Sequence, residues 1–431
     1  MKLEVLNTKK VNGSITAPPS KSYTHRAIIM AALANGISII KKPLMSEDII
    51  SSINAVKTLG ASVDIEEKNK ILKISGCFPY KPIDNIIDTK NSGTTTRIIT
   101  ALCGFFPGTI TVTGDKSIQK RPMGPLLDSL KDLGVVCRSK YDNDCPPIII
   151  KGPSLVGGKT SIPGNISSQF ITALLMAAPL AKKDSKIIIK NQIKSKPYIL
   201  ITLECLKKFG ITISYDDKLD NFQISGEQIY SPNNYEIPGD FSSIAFMLAL
   251  AAITNSTLTI NNLDMSTPQG DKQIIHILKD MGCTIEIDEV QNSITIKNSS
   301  ELRGIKLNMG NIPDLFPVLC ILGTFARGKT ILYGAKHLRY KESDRIRAMH
   351  DELSKLNITI KENEDGVEII GPNKIKPNTV KVYNDHRIAM ALTILGVKSN
   401  NLCIPNIEIT RVSYPNFIND LKKIGVKCSI I

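Results

Sequence analysis

The feature that most constrains this chain is a segment of about 70–75 residues that recurs six times along it. The copies begin near Ser20, Asn91, Asn165, Gly239, Pro313 and Asn384. Each opens on polar or Gly/Pro-containing residues and continues as a helix that is apolar all round, as in Ala27 to Leu33. Such a helix has to be buried. A short turn and a β-like run follow: Ile37 to Ile40, Thr109 to Val112, Ile187 to Ile189, Thr257 to Ile260, Thr330 to Leu332 and Leu402 to Ile404. A second helix comes next, and it is one-sided. Its apolar positions precede its end at fixed spacing: Ile53, Val56 and Leu59; Leu127, Leu130 and Leu133; Ile418, Leu421 and Ile424. It stops at Leu59-Gly60, Leu133-Gly134, Phe209-Gly210, Met281-Gly282, Leu356-Asn357 and Ile424-Gly425. Glycine adopts the left-handed stop without strain, and asparagine tolerates it best among the rest. Further strands follow, such as Ser62 to Ile65 and Thr284 to Ile287. The unit reads as helix, strand, helix, strand, strand.

Units of this size are too large and too few for a solenoid, and 431 residues exceed one ordinary core. Two domains of three units each are expected, with the inner boundary at Pro238-Gly239; a single continuous array is the alternative. A hydrophobic content of 42% and a charged content of 22% are those of a globular chain. The formal charge of +14 admits nucleic acid, a membrane surface or small acidic substrates, but it is spread out, with no run of five or six basic residues, which weakens the polynucleotide reading. Nine cysteines lie far apart in no ligand-type spacing and are expected as buried, reduced thiols of a cytoplasmic protein. The first residues lack signal-peptide character, and no apolar run reaches about 18 residues, so no membrane association is expected.

Charged and polar residues gather where the buried helices begin. Copy one has Lys21, Ser22 and Arg26; copy two has Asn91-Ser92-Gly93-Thr94-Thr95-Thr96-Arg97; copy three has Ser167-Ser168-Gln169. Copy four has Asp240 with Ser242-Ser243, copy five Asp314, and copy six Asn384-Asp385-His386-Arg387. Between them stand Lys120-Arg121-Pro122, Ser195-Lys196-Pro197-Tyr198 and Lys341-Glu342-Ser343-Asp344-Arg345. Helix caps account for the Ser, Asp and Asn. They do not account for the cations, which are unfavourable at a positive helix start unless an anion is to be met there. Arginine grips phosphate and carboxylate with two nitrogens. No carboxylate or histidine cluster has ligand spacing, so neither a metal nor a cofactor is expected. A Walker-type phosphate loop is not expected either: Gly328-Lys329-Thr330 resembles its tail but precedes a strand rather than a helix.

In this order and over essentially the whole chain, these motifs resemble the signatures of the 5-enolpyruvylshikimate-3-phosphate synthase family. They are Lys21-Ser22 with Arg26, Asn91-Ser92-Gly93-Thr94, Lys120-Arg121-Pro122, Ser167-Ser168-Gln169-Phe170 and Ser195-Lys196-Pro197-Tyr198, then Ile312-Pro313-Asp314, Lys341 to Arg345 and Asn384 to Arg387. The resemblance implies a two-domain, inside-out α/β barrel-like fold of six βαβαββ repeats. One domain would be 1–18 plus 238–431 and the other 19–237, with the active site in the cleft between them. It also implies transfer of the enolpyruvyl group of phosphoenolpyruvate to the 5-hydroxyl of shikimate 3-phosphate, with release of phosphate, on the shikimate pathway to chorismate and the aromatic amino acids. The protein would act as a monomer on small molecules, without nucleic acid.

Roles follow from the resemblance. Lys21, Ser22, Arg26, Ser167, Ser168, Gln169, Ser195, Tyr198, Asp314 and Lys341 would hold shikimate 3-phosphate. Lys21, Asn91, Gly93, Arg121, Gln169, Arg345 and Arg387 would hold phosphoenolpyruvate. Asp314 would take the proton of the 5-hydroxyl and Glu342 would protonate C3, with Lys21 and His386 as further proton-handling groups. Two positions depart from the family pattern. His337 stands where an asparagine commonly precedes the Lys-Glu motif and is a candidate shikimate 3-phosphate contact. Val412 stands where a lysine often precedes the last motif, here Ser413-Tyr414-Pro415, which makes Arg411 a candidate phosphoenolpyruvate contact. The sister enzyme that acts on UDP-N-acetylglucosamine typically has Lys-Asn where this chain has Lys21-Ser22, and often a cysteine in the loop that here spans Ser117 to Gly124. A basic nucleic-acid binder would need stacking aromatics, and the chain has no Trp and only 5% aromatics.

Overall fold

A computed structural model describes residues 1–76, 81–297, 301–399 and 401–431. Cys77 lies outside them. The chain divides into two compact units, Pro19–Ile237 and Met1–Pro18 with Pro238–Ile431. The described residues form α1 (Lys21–Leu33), α2 (Glu47–Thr58), α3 (Gly93–Cys103), α4 (Gly124–Asp132), α5 (Ser168–Ala177), α6 (Lys196–Lys208), α7 (Phe241–Ile253), α8 (Ile274–Asp280), α9 (Phe316–Phe325), α10 (Arg345–Lys355), α11 (His386–Gly396) and α12 (Phe417–Lys423).

The odd-numbered helices are the apolar ones. Every residue of α7 and α11 is buried, and α1 is buried from Tyr23 onward. The even-numbered helices cover them with one face, through residues such as Ile53, Val56 and Leu59. All six stops have the left-handed backbone: φ is +104° at Gly60, +89° at Gly134, +82° at Gly210, +108° at Gly282, +95° at Gly425 and +66° at Asn357. The six-fold sequence signal is therefore a backbone requirement repeated six times.

Each unit has its own continuous apolar core. In Pro19–Ile237 three four-stranded sheets flank it, and each places a parallel strand beside an antiparallel three. In the first sheet Asn234–Glu236 runs parallel to Gly36–Lys41, which pairs antiparallel with Ile71–Gly76, which pairs with Ser62–Glu66. Ile86–Asp88 and Gly158–Pro163 lead the other two sheets in the same way. Those leading strands convert the five-element reading into βαβαββ. They escape a residue-level reading because some span only three residues, too few for a period-two pattern.

The discontinuous unit repeats the plan with one departure. Its third sheet has three strands, Leu402–Pro405, Lys2–Val5 and Cys428–Ile430, with the N-terminal strand in the middle and antiparallel to both neighbours. The sixth copy is thus completed by the first strand of the chain. The chain changes units at Pro18–Pro19 and at Ile237–Pro238. Asn12–Thr16 precedes α1 in sequence yet pairs with Thr257–Asn261. At Gly239 an added Cβ would collide with the carbonyl oxygen of Asn262 and lie 3.1 Å from Ala17, so this crossing requires glycine.

The eight described cysteines are all free. Cys103, Cys137, Cys205, Cys283 and Cys320 are buried as expected, but Cys145, Cys403 and Cys428 are only partly buried. Cys403 lies on the outward-facing alternation of its strand, and Cys145 precedes the strand Ile148–Gly152.

Candidate active site

In the unit Pro19–Ile237 the starts of α1, α3 and α5 carry no acidic residue in their first turns, so nothing on these helices offsets the positive end of the dipole. At α1, Nζ of Lys21 lies 3.0 Å from Oδ2 of Asp48, which follows Glu47 at the head of α2. Arg26 is buried and works as a hub. Its Nε donates to Thr202 (2.9 Å), Nη1 to the carbonyl of Ser22 (2.8 Å), and Nη2 to Thr172 and the carbonyl of Tyr198 (both 3.2 Å). Four of its five N–H groups therefore bind α1, α5 and α6 to one another. Burial lowers its pKa from the ordinary arginine value.

The start of α3 is a guanidinium nest. A Cβ at Gly93 would strike Nη1 of Arg97 and stand 2.8 Å from Nη1 of Arg121, so only glycine lets both arginines lie over the helix end. Nη2 of Arg121 donates to Oδ1 of Asn91 and to Ser117, each at 3.2 Å, and Asn91 donates to Asp115 at 2.8 Å. Nε of Arg121 is buried without a hydrogen-bond partner. Gln169 donates to Thr94 at 3.1 Å and so joins the starts of α5 and α3. Ser167 caps α5, accepting from the amide of Gln169, and Ser168 is buried beside it. Ser195 heads α6 in the left-handed region, with φ of +59°, and is 4% exposed; Tyr198 packs on the core within the same helix. A non-glycine residue held there stores strain of the kind that collects at functional sites.

The discontinuous unit builds a different arrangement from the same helix starts. Arg345 opens α10 and is 1% exposed. Its Nη1 lies 2.7 Å from Oδ1 of Asp314, its Nη2 2.9 Å from Oε2 of Glu342, and its Nε 2.8 Å from Oδ2 of Asp385. Arg387 in the first turn of α11 binds the other oxygen of Asp314 at 3.0 Å. Asp385 is fully buried, caps α11 through the amide of Arg387 (2.9 Å), and accepts from Ser343 (3.1 Å). Two consecutive left-handed residues, Tyr383 and Asn384, deliver the chain to it. Close by, Asp271 is buried and accepts a short hydrogen bond from Ser242. Desolvation first, and the charges of Asp314 and Asp240 with it, push the Asp271 carboxyl up to about 7, while Arg387 and Ser242 pull it down. His386, the first residue of α11, is 2% exposed.

The family described as EPSP synthase (3-phosphoshikimate 1-carboxyvinyltransferase) matches residues 5–421. The chain belongs to the EPSP synthase family. A 3-phosphoshikimate 1-carboxyvinyltransferase of Methanococcus vannielii is 43% identical over 434 residues, covering 100% of both chains. One of Methanocaldococcus jannaschii is 43% identical over 431 residues and 99% of both. Among solved structures, the EPSP synthase of Acinetobacter baumannii matches with a TM-score of 0.84 at 28% identity and full coverage of both chains. The expected mixed α/β architecture of the EPSP synthase family is what the two units display.

Measured against the sequence reading of this EPSP synthase family member, Asn91, Gly93 and Arg121 come together, Gln169 joins through Thr94, and Asp314, Glu342, Arg345 and Arg387 form one ion cluster. The arginines of α10 and α11, expected to meet anionic substrate, also have carboxylate partners of their own in Asp314, Glu342 and Asp385. Arg411 is exposed on the turn Ile407–Val412. The turn turns it outward while Thr410 and Ser413 point in. Finally, Gly323 to Thr330 does spell the full Gly-x-x-x-x-Gly-Lys-Thr pattern. It runs from the end of α9 into the strand Gly328–Tyr333, the reverse of the strand-to-helix order a phosphate loop needs.

His337 is buried on the short turn Lys336–Tyr340, immediately ahead of the half-exposed Lys341. Sequence reasoning missed Asp48, Asp271 and Asp385 as charge partners. Asp385 lies inside a quoted motif and was legible as a cap. Asp48 and Asp271 gave no signal, because their partners are supplied by topology. Among the described residues no helix is long and apolar enough to cross a membrane.

Proposed function

We infer that this chain transfers the enolpyruvyl group of phosphoenolpyruvate to the 5-hydroxyl of shikimate 3-phosphate. The family match over residues 5–421 and the full-length relatives that carry this activity's name support the reading. The observation that carries the mechanism is the pairing of Asp314 and Glu342 on the single guanidinium of Arg345, at 2.7 and 2.9 Å. The 5-hydroxyl oxygen forms a bond to C2 of phosphoenolpyruvate as Asp314 takes its proton. C3 receives a proton from Glu342 and becomes a methyl group. The tetrahedral intermediate then returns a proton from C3 to Glu342 and breaks its C2–O bond to phosphate, which takes up the proton held by Asp314. No electrons are gained or lost overall, so the chemistry is proton transfer and charge stabilisation.

Lys21, Ser22, Arg26, Ser167, Ser168, Ser195, Tyr198 and Lys341 hold shikimate 3-phosphate in this scheme, and Gly93, Arg121, Arg345 and Arg387 hold phosphoenolpyruvate. Arg26 contributes mainly by fixing the helices, since four of its N–H groups are already engaged. Lys21 and Gln169 serve both substrates, and His386 relays or orients a proton. The protein acts as a cytoplasmic monomer, each unit closing its own core. The test is phosphate release from phosphoenolpyruvate with shikimate 3-phosphate in one sample and UDP-N-acetylglucosamine in another. Release with the first alone is expected; release with the second alone would reassign the acceptor.

A further inference from the structure

A line of buried polar groups lies behind the start of α3. Nδ1 of His25 in α1 is 2.7 Å from Oγ of Ser52 in α2. That oxygen is 2.7 Å from Oγ1 of Thr95, which is 2.7 Å from Oγ of Ser92, the cap of α3. Ser92 Oγ also accepts from the amide of Thr95 at 3.4 Å. All four side chains are 0% exposed. Nε2 of His25 is buried and has no hydrogen-bond partner.

Burial, and then the charges of Lys21 and Arg26, hold the His25 pKa well below its ordinary value, so the ring is neutral with one N–H and one lone pair. A proton on Nε2 would be a buried donor with nothing to meet, whereas a bare lone pair there is the less costly orphan. The proton therefore belongs on Nδ1, where it donates to Ser52. A hydroxyl has a single proton, so Ser52 donates to Thr95 and Thr95 to Ser92. Both the hydroxyl and the amide of Thr95 then point at Ser92 Oγ, and each bond polarises the next.

We propose that His25 is a positioning residue which, through Ser52 and Thr95, fixes the cap Ser92 and with it the Gly93 end of α3 where phosphoenolpyruvate binds. This rests on the reading of the site given above. The residue is too deep to touch substrate; it acts by holding the first amides of α3 and the two arginines above Gly93 in register.

The test uses the full chain with Thr95→Val, which removes one hydroxyl at nearly constant shape, together with His25→Leu and His25→Asn, whose amide can restore the donor. Thr95→Val and His25→Leu are expected to raise the KM for phosphoenolpyruvate about tenfold, with kcat and shikimate 3-phosphate affinity within about twofold, and His25→Asn to recover most of the loss. Nitrogen NMR of the imidazole should show the Nδ1–H tautomer, and Thr95→Val should speed hydrogen exchange at the Gly93 and Thr94 amides. An Nε2–H tautomer, an unchanged KM in Thr95→Val, or equal loss of both substrates in step with the folded fraction would each overturn the proposal. The tautomer and exchange measurements need no turnover, so they decide the relay even if the assigned reaction fails.

Discussion

Asp314 and Glu342 are bound to different nitrogens of one guanidinium, that of Arg345, at 2.7 and 2.9 Å. The groups assigned as base and acid therefore share a counter-ion that is itself 1% exposed. Asp385 holds the third side of the same guanidinium, and the three carboxylates keep the Arg345 pKa well above the ordinary arginine value against the cost of its burial. A change at any member alters the field at the others.

Asp314→Asn should cut turnover by roughly 10²–10⁴-fold, the range for loss of a general base. Shikimate 3-phosphate affinity should stay within about tenfold. Phosphate-release assays and titration calorimetry check the two halves. Near-normal turnover would remove Asp314 from the mechanism.

Arg345→Lys keeps the charge but not the fork that serves three carboxylates. Breaking such a buried network should destabilise the protein by about 3–5 kcal/mol and abolish turnover. Urea unfolding measures the first effect. A variant as stable as its parent would mean that the network contributes nothing to the fold.

Gly93→Ala should fold, because the atoms its methyl group meets are the flexible ends of Arg97 and Arg121. Displacing two guanidiniums from the head of α3 should raise the KM for phosphoenolpyruvate by about tenfold or more, with shikimate 3-phosphate affinity unchanged. Equal effects on both substrates would place Gly93 elsewhere in the reaction.

The Asp271 carboxyl titrates at about 7 in the folded protein and near 4 in the unfolded chain. Between those values the folded state binds the extra proton, so its contribution to stability is complete below about pH 4 and is lost as pH rises to about 7. Asp271→Asn cannot ionise and escapes that loss. Its stability relative to the parent should rise across this interval and level off above it. Denaturant curves at several pH values test this, and a relative stability that falls with pH would contradict it.

The six helix stops and the six apolar helices were legible because both are local: a left-handed residue and an all-round apolar stretch announce themselves within a few positions. The cap residues Ser92, Ser167 and Asp385 were legible for the same reason. Lys21 with Asp48, and Asp271 with Asp314, were not, since each pair is made by elements that only the fold brings together.

The strand Lys2–Val5 lies between Leu402–Pro405 and Cys428–Ile430. A ribosome therefore makes the middle strand of that sheet first and its neighbours last. Asn12–Thr16 waits as well, for Thr257–Asn261. The unit Pro19–Ile237 contains all its own strands and can close while the rest is still being translated. Asn12–Thr16 lacks its partner until residue 261 has been made and Lys2–Val5 until residue 402, so the discontinuous unit cannot close before then.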